Sequence, residues 1–420
     1  MLERAIHPEA LRAVVEQSVQ ETPVLDIHTH IYPEAFGPLC LRGMDELIRY
    51  HYLIAETCRA NPSVAPEAFF ALAPPDQCRH IWKTLFLERS PVSEACRGVL
   101  TTLSAFGLDV AARDLARHQA FFAGLSPAEH IERVFELARV SHVVMTNDPF
   151  DAAERAVWLE GVERDPRFLP ALRVDRLMGA PESVAAALAA AGHAVTSLGA
   201  LCDTARRFLD EWADRMDPIY LAMSLPSDYT FPEASLRGRM MAECIMPFCR
   251  ERGLPLALMI GVKRQVNPRL GLAGDAVGRC SVDAVEALCA QSPDVRFLVT
   301  LLSRENQHEL CVSARKFPNL MPFGCWWFLN NPSIIEEMTL ERLELLGLSF
   351  IPQHSDARVL DQLVYKWSHS RAVIADVLCR KYDSVLRTGW ALTEDEIRRD
   401  AEMLLRGNFI QFARIESRVG

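Results

Sequence analysis

The chain has 420 residues, well beyond a typical domain of about 150, although one α/β barrel with insertions can absorb such a length. Half of it is hydrophobic and 24% is charged, which supports a large core and argues against global disorder. Lys and Arg number 45 against 55 Asp and Glu, a net charge of −10 with no basic run; this argues against nucleic acid as a partner, but not against a small anion in an arginine-lined pocket.

The first twenty residues are charged and helical in pattern, without the apolar core of a secretory signal. No apolar run approaches the roughly 20 residues that span a bilayer, so no membrane association is expected. The twelve cysteines are scattered and form no CxxC pair. They read as reduced, mostly buried thiols of a cytoplasmic protein. A homo-oligomer is expected.

Eight short apolar runs of β type follow in order, at 24–30, 142–148, 168–173, 219–224, 256–261, 295–300, 320–327 and 348–354. Near-continuous apolarity is the pattern of strands buried on both faces. Helical patterns lie between them at 151–161, 181–192, 237–252, 282–291, 306–317 and 334–346. Strand and helix alternating in this way predict a closed parallel (β/α)8 barrel of TIM type. An open doubly wound sheet is the competitor, but its glycine-rich turn is missing: the first run ends in His28-Thr29-His30-Ile31-Tyr32-Pro33-Glu34. The expected layout is one barrel domain over 1–420. A helical insertion at about 31–141 lies over the C-terminal mouth, with candidate helices at 44–60, 67–72, 76–87 and 108–123, and C-terminal helices occupy about 359–420.

His28-Thr29-His30 is the sharpest local signal. In a strand, residues i and i+2 share a face, so two imidazoles at the end of a barrel strand can grip one metal. Imidazole suits zinc and neighbouring transition metals. The bland alternative is a pair of surface-loop histidines. Asp356 follows the eighth run and would reach the same mouth once the barrel closes. A carboxylate there can ligate a metal or move protons, though a helix N-cap is the ordinary use of such an Asp. His354 lies two residues before it and would share its face, as a ligand or as a partner of the Asp356 carboxylate; a packed barrel histidine is the alternative.

Together these residues resemble the uronate isomerase family of the metal-dependent amidohydrolase superfamily. The resemblance runs through DIHTH at 26–30, His51-Tyr52, Thr146-Asn147-Asp148-Pro149, the 169–173 stretch with Asp175, Phe323-Gly324-Cys325-Trp326-Trp327-Phe328, and Asp356-Ala357-Arg358. It implies interconversion of an aldose and a ketose uronic acid, a hexuronate such as D-glucuronate or D-galacturonate, with a divalent metal, zinc. His28, His30 and Asp356 match the family's metal ligands, with His354 as an added candidate. Asp356, Arg358, Tyr52 and His51 match its catalytic groups. Arg173, Arg304, Trp326 and Trp327 match groups that hold the sugar acid.

The chemistry accounts for these residue types. Isomerisation removes a proton beside a carbonyl and returns it to the former carbonyl carbon. A Lewis acid polarises the carbonyl, a carboxylate carries the proton, and an arginine fork binds the distal carboxylate. The chain also departs from the family pattern. Met259-Ile260-Gly261 stands where the family has His-Ile-Gly, Trp82-Lys83-Thr84-Leu85-Phe86 where it has a Trp-x-His-x-Glu stretch, and Gly407-Asn408-Phe409-Ile410 near the end where it has Asn-Asn-x-Arg. The resemblance is therefore that of a divergent member. Two alternatives stay open: a metal-dependent hydrolase or decarboxylase on the same barrel, and a non-catalytic sugar-acid-binding homologue, for which Met259 is the main support.

Overall fold

In the computed structural model, which describes residues 5–419, strand residues alternate between two buried apolar layers. Leu25, Ile27, Val144, Leu169, Ala171, Ala257, Met259 and Leu298 face an inner cluster. Their chain neighbours Val24, Val143, Phe168, Leu172, Leu258 and Val299 face an outer one, shared with the helices. Burial on both faces is the reason the runs read as continuously apolar.

The strands are β1 (Val24–Thr29), β2 (Val140–Asn147), β3 (Phe168–Arg173), β4 (Leu221–Pro226), β5 (Leu256–Lys263), β6 (Ala276–Val277), β7 (Phe297–Leu301) and β8 (Leu320–Pro322). Parallel pairing runs in the order β1-β2-β3-β4-β5-β7-β8, and the short β6 adds antiparallel to β5. The eighth apolar run forms no regular strand. It makes a single bridge, Phe323 to Ile351, and Pro352 removes a ladder donor directly after it.

Closure still occurs. Ile351 N–H donates to Pro322 O at 3.1 Å and Gly324 N–H to Ile351 O at 2.8 Å on one side. On the other, Asp356 N–H donates to His28 O at 3.1 Å and His30 N–H to Ala357 O at 2.7 Å. Irregular chain over 351–357 thus serves as the last stave of a parallel α/β barrel. The Asp26 carboxylate secures it, accepting from Ser355 N–H at 3.0 Å and from the Trp367 indole at 2.8 Å.

The seventh run is shorter than the sequence suggests, because Gly324 turns the chain at φ 63° and a 3-10 turn begins at Trp327. The anticipated helix at 237–252 is present and carries a π-helical stretch over Met240–Ile245. Helix Leu201–Met216 is additional to the expected ones, and Glu94–Ala105 and Pro127–Ala138 fall within the expected helical insertion but outside its candidate helices. The last of them had a sequence signal, a capping box between Ser126 and Glu129 with Pro127 at the first turn.

At the C-terminus, helix Gln362–Leu386 leads to shorter helices whose Phe409, Ala413, Ile415 and Val419 join the inner cluster. The Asn408 amide ties them in by donating to Leu348 O at 2.6 Å and Phe350 O at 2.7 Å. All twelve cysteines are free thiols. Among the described residues no helix is long and apolar enough to cross a membrane.

Candidate active site

A β-bulge aims the two histidines. Asp26 pairs with Val143 and Thr29 with Met145, so β1 spends three residue steps where β2 spends two. The extra residue switches which side chains point inward. Leu25 and Ile27 face the inner cluster below the bulge, and His28 and His30 face the barrel mouth above it.

Asp356 reaches them through its own backbone. Its φ of 50° lies in the left-handed region, a conformation Asp tolerates better than most residues. Its Oδ1 lies 3.7 Å from His28 Nε2 and 3.5 Å from His30 Nε2. One ligand atom from each of the three residues lies within 4.8 Å of the others. Donors about 2.1 Å from a common tetrahedral ion stand roughly 3.4 Å apart, so these separations fit a metal.

The protonation states fit as well. Burial lowers the pKa of His28 well below its ordinary value, and burial together with the Arg358 charge takes His30 down to about 4. Burial would raise Asp356, but the neighbouring His30 and His28 outweigh it and hold the carboxyl below its usual range. Neutral imidazoles and an ionised carboxylate are the forms a metal requires.

These groups open into a narrow cleft, also lined by Tyr50, His51, Thr146, Arg173, Ser224, Met259, Arg264, Trp326, Trp327 and Arg358. Arg173 is gripped by Asp175, with Nε to Oδ2 at 2.6 Å and Nη2 to Oδ1 at 3.1 Å. The Ser224 N–H holds that carboxylate in turn at 2.9 Å. Arg358 makes no side-chain hydrogen bond to another described residue and leaves its fork open to the cleft. His51 opens helix His51–Ala60 with its ring 5.8 Å from that of Trp327. Burial and the Arg358 charge lower its pKa to about 3, so it is a neutral group.

Tyr52 faces the other way. It lines a neighbouring cavity with Trp327 and Lys366, its hydroxyl buried without a partner, while Tyr50 takes the place in the cleft wall.

Two sequence assignments need correction. Arg304 is on the surface, three residues beyond the end of β7, where it pairs with Glu337 at 2.8 Å with its side chain 56% exposed. Helix Pro332–Leu346, which comes after β8, supplies the carboxylate that turns it away from the mouth. Arg304→Met is therefore expected to leave KM for a hexuronate unchanged, whereas Arg173→Met raises it about tenfold or more, as loss of one charge-assisted contact would. Steady-state kinetics of the two variants side by side check both halves.

His354 is the second correction, since it stands outside the three-donor group. Its ring meets His28 edge-on at 5.4 Å between centroids and lies 5.1 Å from Phe323, and neither ring nitrogen has a partner. The same-face rule for i and i+2 holds for extended chain, and the left-handed turn at Asp356 breaks it. Met259 does line the cleft, so no imidazole replaces it there.

Other residues escaped sequence reasoning. Lys366 is 2% exposed and donates to Ser355 O directly beside Asp356. Burial lowers its pKa to about 8 against the pull of Asp356 and Asp26. A lone lysine within the apolar stretch 363–367 was the available signal. Arg264, held by Asp275 at 2.6 Å, reaches the cleft from just past β5 and had no local signal.

Fold and site together define a parallel α/β barrel enzyme with a metal-capable His-His-Asp centre at its mouth. No family model matches the chain, and no curated protein does. Solved structures do. A uronate isomerase from Bacillus halodurans is 51% identical over 98% of each chain, with a TM-score of 0.95. A uronate isomerase from Thermotoga maritima, 15% identical over 98% of each chain, superposes with a TM-score of 0.77. A glucuronate isomerase from Caulobacter crescentus, 16% identical over 97% of this chain and 95% of that one, gives 0.78. The last two carry the fold alone. By its identity to the first over nearly its whole length, the chain belongs to the uronate isomerase family.

Proposed function

We propose that the protein interconverts the aldose and ketose forms of a hexuronate such as D-glucuronate or D-galacturonate, with a divalent metal, zinc, at His28, His30 and Asp356. The observation that carries this reading is the convergence of those three donors with Arg173 and Arg358 in one cleft. The family supplies the substrate class. A bound ion would supply Lewis-acid polarisation of the sugar carbonyl. Twelve free thiols support a reducing, cytoplasmic setting.

The chain's own groups do the rest. Asp356 takes the proton from the carbon beside the carbonyl through Oδ2, because Oδ1 is the atom turned toward both imidazoles. That proton exchanges with solvent, and Asp356 delivers one to the former carbonyl carbon. The hydroxyl proton on the deprotonated carbon passes to the old carbonyl oxygen, so aldose becomes ketose with no atom gained or lost. Arg358, whose side chain has no hydrogen-bond partner among the described residues, donates to the oxyanion that forms between the two steps. Arg173, pre-set by Asp175, holds the distal carboxylate and so fixes which carbon faces Asp356.

Incubation of zinc-loaded protein with a panel of hexuronates and neutral hexoses tests the reading. Ketose is expected from at least one hexuronate and from no neutral hexose. Conversion of none, or of neutral and acidic sugars alike, would contradict it.

A further inference from the structure

The other ring nitrogen of His28 sits in an unusual environment. Nδ1 has two neighbours, the Tyr220 hydroxyl at 3.4 Å and the Thr146 hydroxyl at 3.4 Å. Each hydroxyl carries one hydrogen, and each hydrogen is already committed. Tyr220 donates to Ile27 O at 2.7 Å, and Thr146 donates to Thr29 O at 2.8 Å. Those carbonyls flank His28 beside the bulge of β1. Both hydroxyls can therefore offer Nδ1 only lone pairs, and the proton belongs on Nδ1.

The opposite nitrogen faces Asp356. With Nδ1 protonated, Nε2 presents a bare lone pair to Asp356 Oδ1 at 3.7 Å. Two electron-rich atoms so placed are relieved by a cation between them. His30 differs, for its one hydrogen-bonding neighbour is Asp356 itself, at 3.5 Å. The carboxylate beside Nε2 favours hydrogen on that nitrogen in the metal-free protein, so His30 is not set in advance for a metal.

We propose that Tyr220 and Thr146 are positioning residues that hold His28 in its Nδ1–H tautomer, so that the metal site has one ligand set in advance by the barrel and one, His30, that is not. The proposal rests on the metal reading above for its purpose, but the tautomer itself does not depend on a metal. The two hydroxyls come from different elements, Tyr220 just before β4 and Thr146 on β2. Each backs up the other: either lone pair alone favours Nδ1–H, and only loss of both frees the ring to place its proton on Nε2 and donate to Asp356.

The experiment has two readouts. Nitrogen-detected NMR of metal-free protein labelled in its histidines reports which His28 nitrogen carries hydrogen. Equilibrium dialysis against zinc reports affinity. The wild type is expected to show Nδ1–H. Tyr220→Phe and Thr146→Val singly are expected to keep it, with zinc affinity lowered only a few-fold.

The double variant should shift hydrogen to Nε2 and weaken zinc by roughly 10–100-fold, the usual cost of losing such support. Thr146→Ser in the Tyr220→Phe background retains a hydroxyl and should restore both readouts. Melting temperatures alone would move if the hydroxyls merely satisfied carbonyls, and the tautomer would then stay put. Nε2–H in the wild type overturns the proposal without any variant needing to fold. So does a folded double variant with unchanged tautomer and zinc affinity. Wild-type protein that is Nδ1–H yet binds no zinc would instead defeat the metal reading and leave the lock standing.

Discussion

Asp356→Asn is expected to lower kcat by about 10²–10⁴-fold, the range for removing a positioned general acid–base group. The amide keeps the shape of the carboxylate but cannot carry a proton between two carbons. It also removes the negative charge that the two imidazoles share at 3.7 and 3.5 Å, so zinc should dissociate more readily. The two losses separate experimentally. At saturating zinc the affinity defect is overcome and the kcat defect persists. A variant whose kcat recovers fully in excess zinc would show that Asp356 is a ligand only, and that another group moves the proton.

Gly324→Ala is the second large effect, and it acts through packing. A Cβ built on Gly324 would lie 1.7 Å from His354 Nδ1 and 2.5 Å from Cε1, with the backbone at φ 63°. The ring has nowhere to go, since Phe323 and His28 flank it. Left-handed strain and overpacking together are expected to destabilise the fold on the order of 2–5 kcal/mol. Because His354 rests against His28, zinc affinity should fall in the fraction that folds. Adding His354→Ala removes the ring that clashes, so the double variant should melt above Gly324→Ala alone. If the two substitutions add without rescue, the contact is not the cause.

The barrel was readable because each strand is buried on both faces, which writes a continuous apolar run into 24–30, 168–173 or 256–261. The eighth run was readable as position but not as geometry. Pro352 and the left-handed Asp356 make it an irregular stave held by hydrogen bonds to β8 and β1, and alternation rules fail there. That failure misled the assignment of His354 while sparing Asp356, whose placement depended only on the barrel closing.

The histidine pair was found by spacing, yet its inward aim comes from a bulge between Asp26 and Thr29 that no local pattern announces. Arg304 shows the opposite limit. A strand end places an arginine near a mouth, but a glutamate 33 residues later decides which way it points. Lys366 and Arg264 act through partners eleven residues away along irregular chain and Tyr220 through a carbonyl of β1, and a single sequence carries no record of those contacts.

Proton NMR of a hexuronate incubated in heavy water with the zinc-loaded protein tests the central claim, that Asp356 carries a proton between adjacent carbons at this mouth. The account predicts ketose bearing deuterium at C1, with deuterium appearing at C2 of the recovered aldose, and neither in Asp356→Asn. Ketose formed without deuterium would point to direct hydride transfer between the carbons. Loss of the carboxylate instead of isomerisation would place the protein with the decarboxylases of this barrel. Either result would contradict the account.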